Sequence, residues 1–119
     1  MTNKIEDIQL ALRTFASDRD WKQFHSPKNL SMALSGEVGE LLEHFQWLTE
    51  EQSYLKDNET VQELVTEELA DIFLYLLKLC DQLNVDILDA AVKKIKVNEI
   101  KYPVELCKGK STKYNQLKK

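Results

Sequence analysis

Apolar residues recur at helical spacing along most of this chain. Ile5, Ile8, Leu12 and Phe15 mark one face of a first helix, predicted from about Asn3 to Ser17. After the connection "DRDWKQFHSP", Ser26 has the chemistry of an N-cap and Pro27 that of a first helical position. Leu30, Leu34, Val38, Leu41 and Phe45 share a broad face, which predicts a second helix running to about Leu48. Thr49 and Gln52 have the spacing of a capping box and open a short extra turn. Asp57 or Asn58 caps a third helix that ends near Asn84, and Asp86 caps a fourth that must stop before Pro103. The remainder, "VELCKGKSTKYNQLKK", is only weakly periodic. The fold class this predicts is all-α, a bundle of four to five helices. One domain covers 1–103, with 104–119 as its basic C-terminal arm.

Certain polar residues break this pattern. Glu37, Glu40, His44 and Trp47 form a stripe directly beside the apolar face of the second helix, whereas Glu43 points away from it. On the third helix Glu68, Asp71 and Tyr75 fall inside or at the margin of the arc drawn by Val61, Val65, Leu69, Ile72 and Leu76. Glu63 and Glu67 lie opposite, where acids are solvated. A desolvated carboxylate is costly unless it is paired or metal-bound. Helices joined by a short connection pack antiparallel, which would bring Glu37, Glu40, Glu68 and Asp71 to one place. Four such charges repel one another unless cations sit among them.

Two readings remain open on the residues alone. In one, the acids form salt bridges inside a non-catalytic helical interaction module. In the other, they bind metal, and an all-oxygen donor set selects Mg²⁺, with Mn²⁺ as a substitute. Neither His25 nor His44 stands three residues after a glutamate, and no His-Glu-x-x-His occurs, which disfavours di-iron and zinc. Gly36 and Gly39, inside the second helix, would admit a close helix or ligand; tight helix packing explains them equally well.

Composition narrows the class. Of 119 residues, 43% are apolar and 30% charged, with three glycines and two prolines. That composition suits a globular helical chain, and its two cysteines make no metal or disulfide framework. The longest apolar run, Ile72 to Cys80, is too short to span a bilayer and is interrupted by Lys78. "MTNKIEDIQL" lacks signal-peptide order, so a reducing cytoplasm is expected. Residues 92–119 hold nine lysines and two glutamates, a balance of +7 against a net charge of −4, which leaves −11 on residues 1–91. The net charge argues against nucleic-acid binding, whereas the basic stretch is either a solvated tail or an arm for a polyphosphate. "GKS" at 109–111 has no glycine at the position a phosphate loop requires and is not one.

"GEVGELLEHFQW" followed by "EELADIFLYLL" resembles the all-α nucleoside triphosphate pyrophosphohydrolases of the MazG type, within them the dCTP pyrophosphatase branch and its short bacterial relatives. The likeness extends from "FASDRDWKQFHSPKNL" through "KKIKVNEIKYP" to "GKSTKY". It implies hydrolysis of (d)NTP to (d)NMP and pyrophosphate, dCTP-preferring or broad, as nucleotide-pool sanitation. It also implies a Mg²⁺ site of Glu37, Glu40, Glu68 and Asp71. Of these four acids, Glu40 is our choice to take the proton of the attacking water. Trp21 and Trp47 match aromatic positions that hold the base, and Tyr75 a tyrosine lining that pocket. Lys94 and Asn98 match a Lys-x-x-x-Asn pair that meets phosphates and metal. His25 either touches phosphate or caps the second helix. Family members form dimers or dimers of dimers, implying a homodimer or homotetramer here. Leu12 stands where dCTP-directed relatives can carry a base-contacting histidine, so strict cytosine selectivity is not implied. A related all-α hydrolase of dUTP or a diphosphate is the neighbouring alternative.

Overall fold

A computed structural model describes residues 4–117. It contains five helices and no strand among the described residues: α1 (Lys4–Asp18), α2 (Pro27–Phe45), α3 (Glu59–Gln82), α4 (Ile87–Lys101) and the single turn α5 (Val104–Cys107). The expected start of α1 at Asn3 lies outside the described residues. Short 3-10 turns occupy Lys22–Phe24, Gln52–Tyr54 and Tyr114–Gln116.

The helix starts follow the capping chemistry of the sequence. Ser26 Oγ accepts from Asn29 N at 3.2 Å, ahead of Pro27. Asn58 rather than Asp57 caps α3, its Oδ1 accepting from Val61 N at 3.2 Å, and Asp86 does the same for Asp89 N at 3.1 Å. Thr49 and Gln52 bond reciprocally at 2.9 and 3.1 Å, completing the capping box. α2 and α3 end slightly earlier than periodicity suggests, whereas α1 runs one residue past Ser17 to Asp18. α2 stops at Phe45 rather than Leu48, because the chain tightens there and Leu48 N bonds to Phe45 O. α3 stops at Gln82 because Asn84 takes a left-handed conformation (φ 55°), a common helix terminator.

The chain divides into two compact units, one through Asn84 and one from Val85. In the first, α3 packs chiefly on α2 and also on α1. Gln9 Nε2 donates to Leu77 O at 3.1 Å, and Arg13 grips Asp81 through two bonds of 2.7 and 2.8 Å. Both contacts advance by four residues on each helix, so α1 and α3 run in the same sense. Ala16, Leu30, Leu55, Val65, Leu77 and Cys80 make the buried core. Burying Leu30 and Leu77, both essentially inaccessible, contributes roughly 1.5–3 kcal/mol each. Leu55 adopts a left-handed backbone (φ 57°), held there by the burial of its side chain. The apolar faces exceed this core: Val38 and Leu42 on α2, and Leu64, Leu69 and Phe73 on α3, remain exposed. The second unit carries α4 and α5, with an i,i+4 ion pair of 2.9 Å between Asp89 and Lys93.

Candidate active site

Glu37 and Glu40 sit one turn apart in α2, and Glu68 meets them from α3. Their carboxylate oxygens lie within 4.8 Å of one another. Helix propensity and the apolar faces hold this arrangement: Leu34 and Leu41 on α2, and Ile72 and Leu76 on α3, are all partly buried around the acids. Asp71, one turn beyond Glu68, is exposed and outside the 4.8 Å group, yet close enough that its charge acts on both Glu37 and Glu68. Glu37 responding to Asp71 while His44 Nε2 stands 3.9 Å from Glu68 Oε1 fixes α2 and α3 as antiparallel.

The electrostatics are those of crowded like charges. Burial, then a proton shared with Glu40, then the charges of Glu40, Asp71 and Glu68 push Glu37 up to about 7. Glu68 is raised as well, first by burial and next by Glu40. Glu37 Oε2 and Glu68 Oε2 are buried with no hydrogen-bond partner. Among themselves the acids can be satisfied only by holding a proton. A hard divalent cation, favoured by carboxylate oxygens, is the other group that removes both the repulsion and the orphaned lone pairs. The residues present therefore fit such an ion, with Glu37, Glu40 and Glu68 as the group that would hold it.

Beside the acids a groove of about 450 Å³ opens between α1 and α3. Glu37 and Asp71 stand at one end, Lys78 at the other, and Leu12, Phe15 and Tyr75 line the wall between them. Trp21 borders it indirectly, its ring meeting Phe15 edge-on at 5.7 Å between centroids. Trp47 lies in the turn beyond α2 rather than on the helix, and at 87% exposure it touches little of its own chain. His25 lines a smaller neighbouring cavity with Arg13 and Asp81, and Leu12 and Lys78 line both this cavity and the groove. Burial and then the charge of Lys78 lower the pKa of His25. Lys94 and Asn98 are exposed, four residues apart on α4, and Asn98 O accepts from Tyr102 N at 2.8 Å.

Neither glycine of α2 is explained by packing within the chain, since a Cβ built on Gly36 or Gly39 would meet nothing within 4 Å. Lys78 is the groove residue that helix periodicity passes over. Its signal in the sequence is its position as the one charge inside Ile72 to Cys80.

A MazG-like family model matches residues 32–117, a span that includes both acid pairs. The bovine protein named dCTP pyrophosphatase 1 is 42% identical over 114 residues, covering 95% of this chain and 68% of its own. The human protein of that name is 40% identical over 114 residues, covering 95% and 67%. Among solved structures, a pyrophosphatase from Archaeoglobus fulgidus superposes with a TM-score of 0.79 at 39% identity, over 87% of this chain and 95% of that one. Sequence and fold agree over most of the molecule, and the chain belongs to the MazG-like family.

Proposed function

We propose that the chain is a Mg²⁺-dependent nucleoside triphosphate pyrophosphohydrolase, converting a (d)NTP and water to the (d)NMP and pyrophosphate, with dCTP preferred or deoxynucleotides accepted broadly. The observation that carries this is the cluster of Glu37, Glu40 and Glu68, with two buried orphan oxygens, at the mouth of an aromatic-walled groove. Relatives named dCTP pyrophosphatase and a structural neighbour described as a pyrophosphatase support the activity.

Mg²⁺, when held there, neutralises the phosphates and polarises the α-phosphorus. The residues of the chain do the rest. Glu37, Glu40 and Glu68, with Asp71 one turn beyond them, would hold the ion against the triphosphate end of the substrate. Glu40, the exposed member of the cluster, takes the proton of the attacking water while the bond from the α-phosphorus to the bridging oxygen breaks and pyrophosphate leaves. Trp21, Trp47 and Tyr75 hold the base, each aromatic face contributing ~1–3 kcal/mol of stacking with little base preference. Lys94, Asn98 and His25 meet phosphates. The stretch 104–119 belongs to the same domain as a basic arm.

The uncovered apolar residues of α2 and α3 support a homodimer or homotetramer. No helix among the described residues is long and apolar enough to cross a membrane, and we place the enzyme in the cytoplasm.

Hydrolysis in oxygen-18 water tests the reaction. The label is expected in the nucleoside monophosphate, with one pyrophosphate released per turnover. Label in pyrophosphate, or release of orthophosphate alone, would overturn the assignment.

A further inference from the structure

The groove beside the acids has ends of opposite charge. Glu37 and Asp71 make the negative end and Lys78 the positive one. Asp71, Tyr75 and Lys78 share one face of α3, and seven residues at 1.5 Å rise place Lys78 about 10 Å along the helix from Asp71. Helix side chains lean toward the N-terminus, which carries Lys78 back over Tyr75. Its Nζ lies 4.8 Å from the ring centroid. The side chain is half-buried, and burial lowers its pKa while the charge of Asp71 acts to raise it. Among the described residues it forms neither a hydrogen bond nor an ion pair within 4.0 Å. A partly desolvated ammonium with three unused donors is poorly satisfied by a cation–π contact alone.

A nucleotide whose phosphates occupy the acid end carries its base along the groove, between Leu12, Phe15 and Tyr75, toward that ammonium. These walls offer stacking and apolar contact, which discriminate little among bases. A cation at the base edge does discriminate: it accepts a carbonyl oxygen and rejects an exocyclic amine. We propose that Lys78 reads the base, its ammonium donating to a carbonyl oxygen on the edge of the bound nucleobase. The inference rests on the nucleotide reading of the same groove. Every pyrimidine presents the O2 carbonyl and guanine an O6 carbonyl, so Lys78 admits these bases without separating cytosine from thymine or uracil. Adenine, which has no carbonyl, is disfavoured.

Cytosine has a single carbonyl, so exchanging that oxygen for sulfur, a weak acceptor, isolates the contact. The wild-type protein is expected to favour dCTP over 2-thio-dCTP by about tenfold in kcat/KM, through KM. Lys78→Met, which keeps the apolar stem, should bring the ratio near one, and Lys78→Arg should restore part of it. The same ratio should appear in calorimetric binding of dCMP and 2-thio-dCMP. An unchanged oxygen-to-sulfur ratio in Lys78→Met would overturn the inference. So would an equal loss on both substrates, which would move Lys78 to the phosphates. Either result leaves the hydrolase reading intact. A wild-type protein that releases no pyrophosphate from any nucleotide would remove both.

Discussion

The acid cluster makes a prediction about stability that needs no substrate. In the metal-free protein Glu37 is held near 7 rather than 4.5. Its folded value lies above its unfolded value, so the folded state binds more protons across that window. Stability from this group is therefore full below about 4.5 and is lost as pH rises through about 7. At ~1.4 kcal/mol per pH unit the ceiling is ~3 kcal/mol. Solvent screening at a partly exposed carboxyl reduces it to ~1 kcal/mol, roughly 4 °C in Tm for a chain of this size. Glu68 is shifted in the same direction. His25 acts oppositely: its folded pKa is depressed, so its contribution grows as pH rises toward 6.5. The assay must therefore isolate Glu37. Thermal melts in chelator at pH 5.5 and 8 should show Glu37→Gln losing less stability at the higher pH than the wild-type protein does. Millimolar Mg²⁺ at pH 8 should raise the wild-type Tm, because an ion that binds only the folded state stabilises it. Identical pH dependence in wild type and Glu37→Gln, with no response to Mg²⁺, would refute the crowded-carboxylate account.

Asp71→Asn should lower hydrolysis by at least ~10²-fold, the scale of one electrostatic stabiliser lost from an active site. Its metal-free stability should hold or rise, and a destabilised but active variant would assign Asp71 to an ion pair instead. Trp47→Ala should leave the fold intact, since the side chain is 87% exposed, and raise KM by the equivalent of ~1–3 kcal/mol. An unchanged KM in steady-state kinetics would remove Trp47 from the base site. Gly36→Ala meets no neighbour within the chain and should stabilise α2 by up to ~1 kcal/mol in denaturant unfolding. Loss of hydrolysis alongside that gain would show that a ligand or a second copy uses the space. Sedimentation at micromolar concentration should give a dimer or tetramer, and a stable 13.9 kDa monomer would count against it.

Local signals in the sequence carried furthest. Ser26, Asn58 and Asp86 start their helices by accepting from the backbone N–H three residues on, a chemistry that needs no tertiary knowledge. Periodicity also placed Glu37, Glu40 and Glu68 at the edge of apolar faces, and antiparallel packing brought them together. What it resolved poorly was anything set by a fraction of a turn. Asp71 falls one turn beyond the tight group and into solvent. Trp47 leaves the stripe that helical spacing assigns it with Glu40 and His44, because α2 ends two residues before it. Lys78 looked like a mere interruption of an apolar run, since pattern alone does not show that the face it interrupts forms the wall of a groove.

The largest gap concerns coverage. A hydrophobic stripe shows that a face avoids water and leaves open what lies against it. Val38 and Leu42 follow the same spacing as the buried Leu30, yet within this chain they are 47% and 61% exposed. Leu69 and Phe73 repeat this on α3, at 52% and 40%. Within the unit through Asn84, these sides of α2 and α3 are left exposed. The uncovered residues lie on the same two helices that present the acids. If a second copy covers these residues, a substitution such as Leu42→Lys, which alters none of the four site acids, should both shift sedimentation toward the monomer and weaken hydrolysis. Loss of assembly with full activity would separate the two and show that one chain holds a complete site.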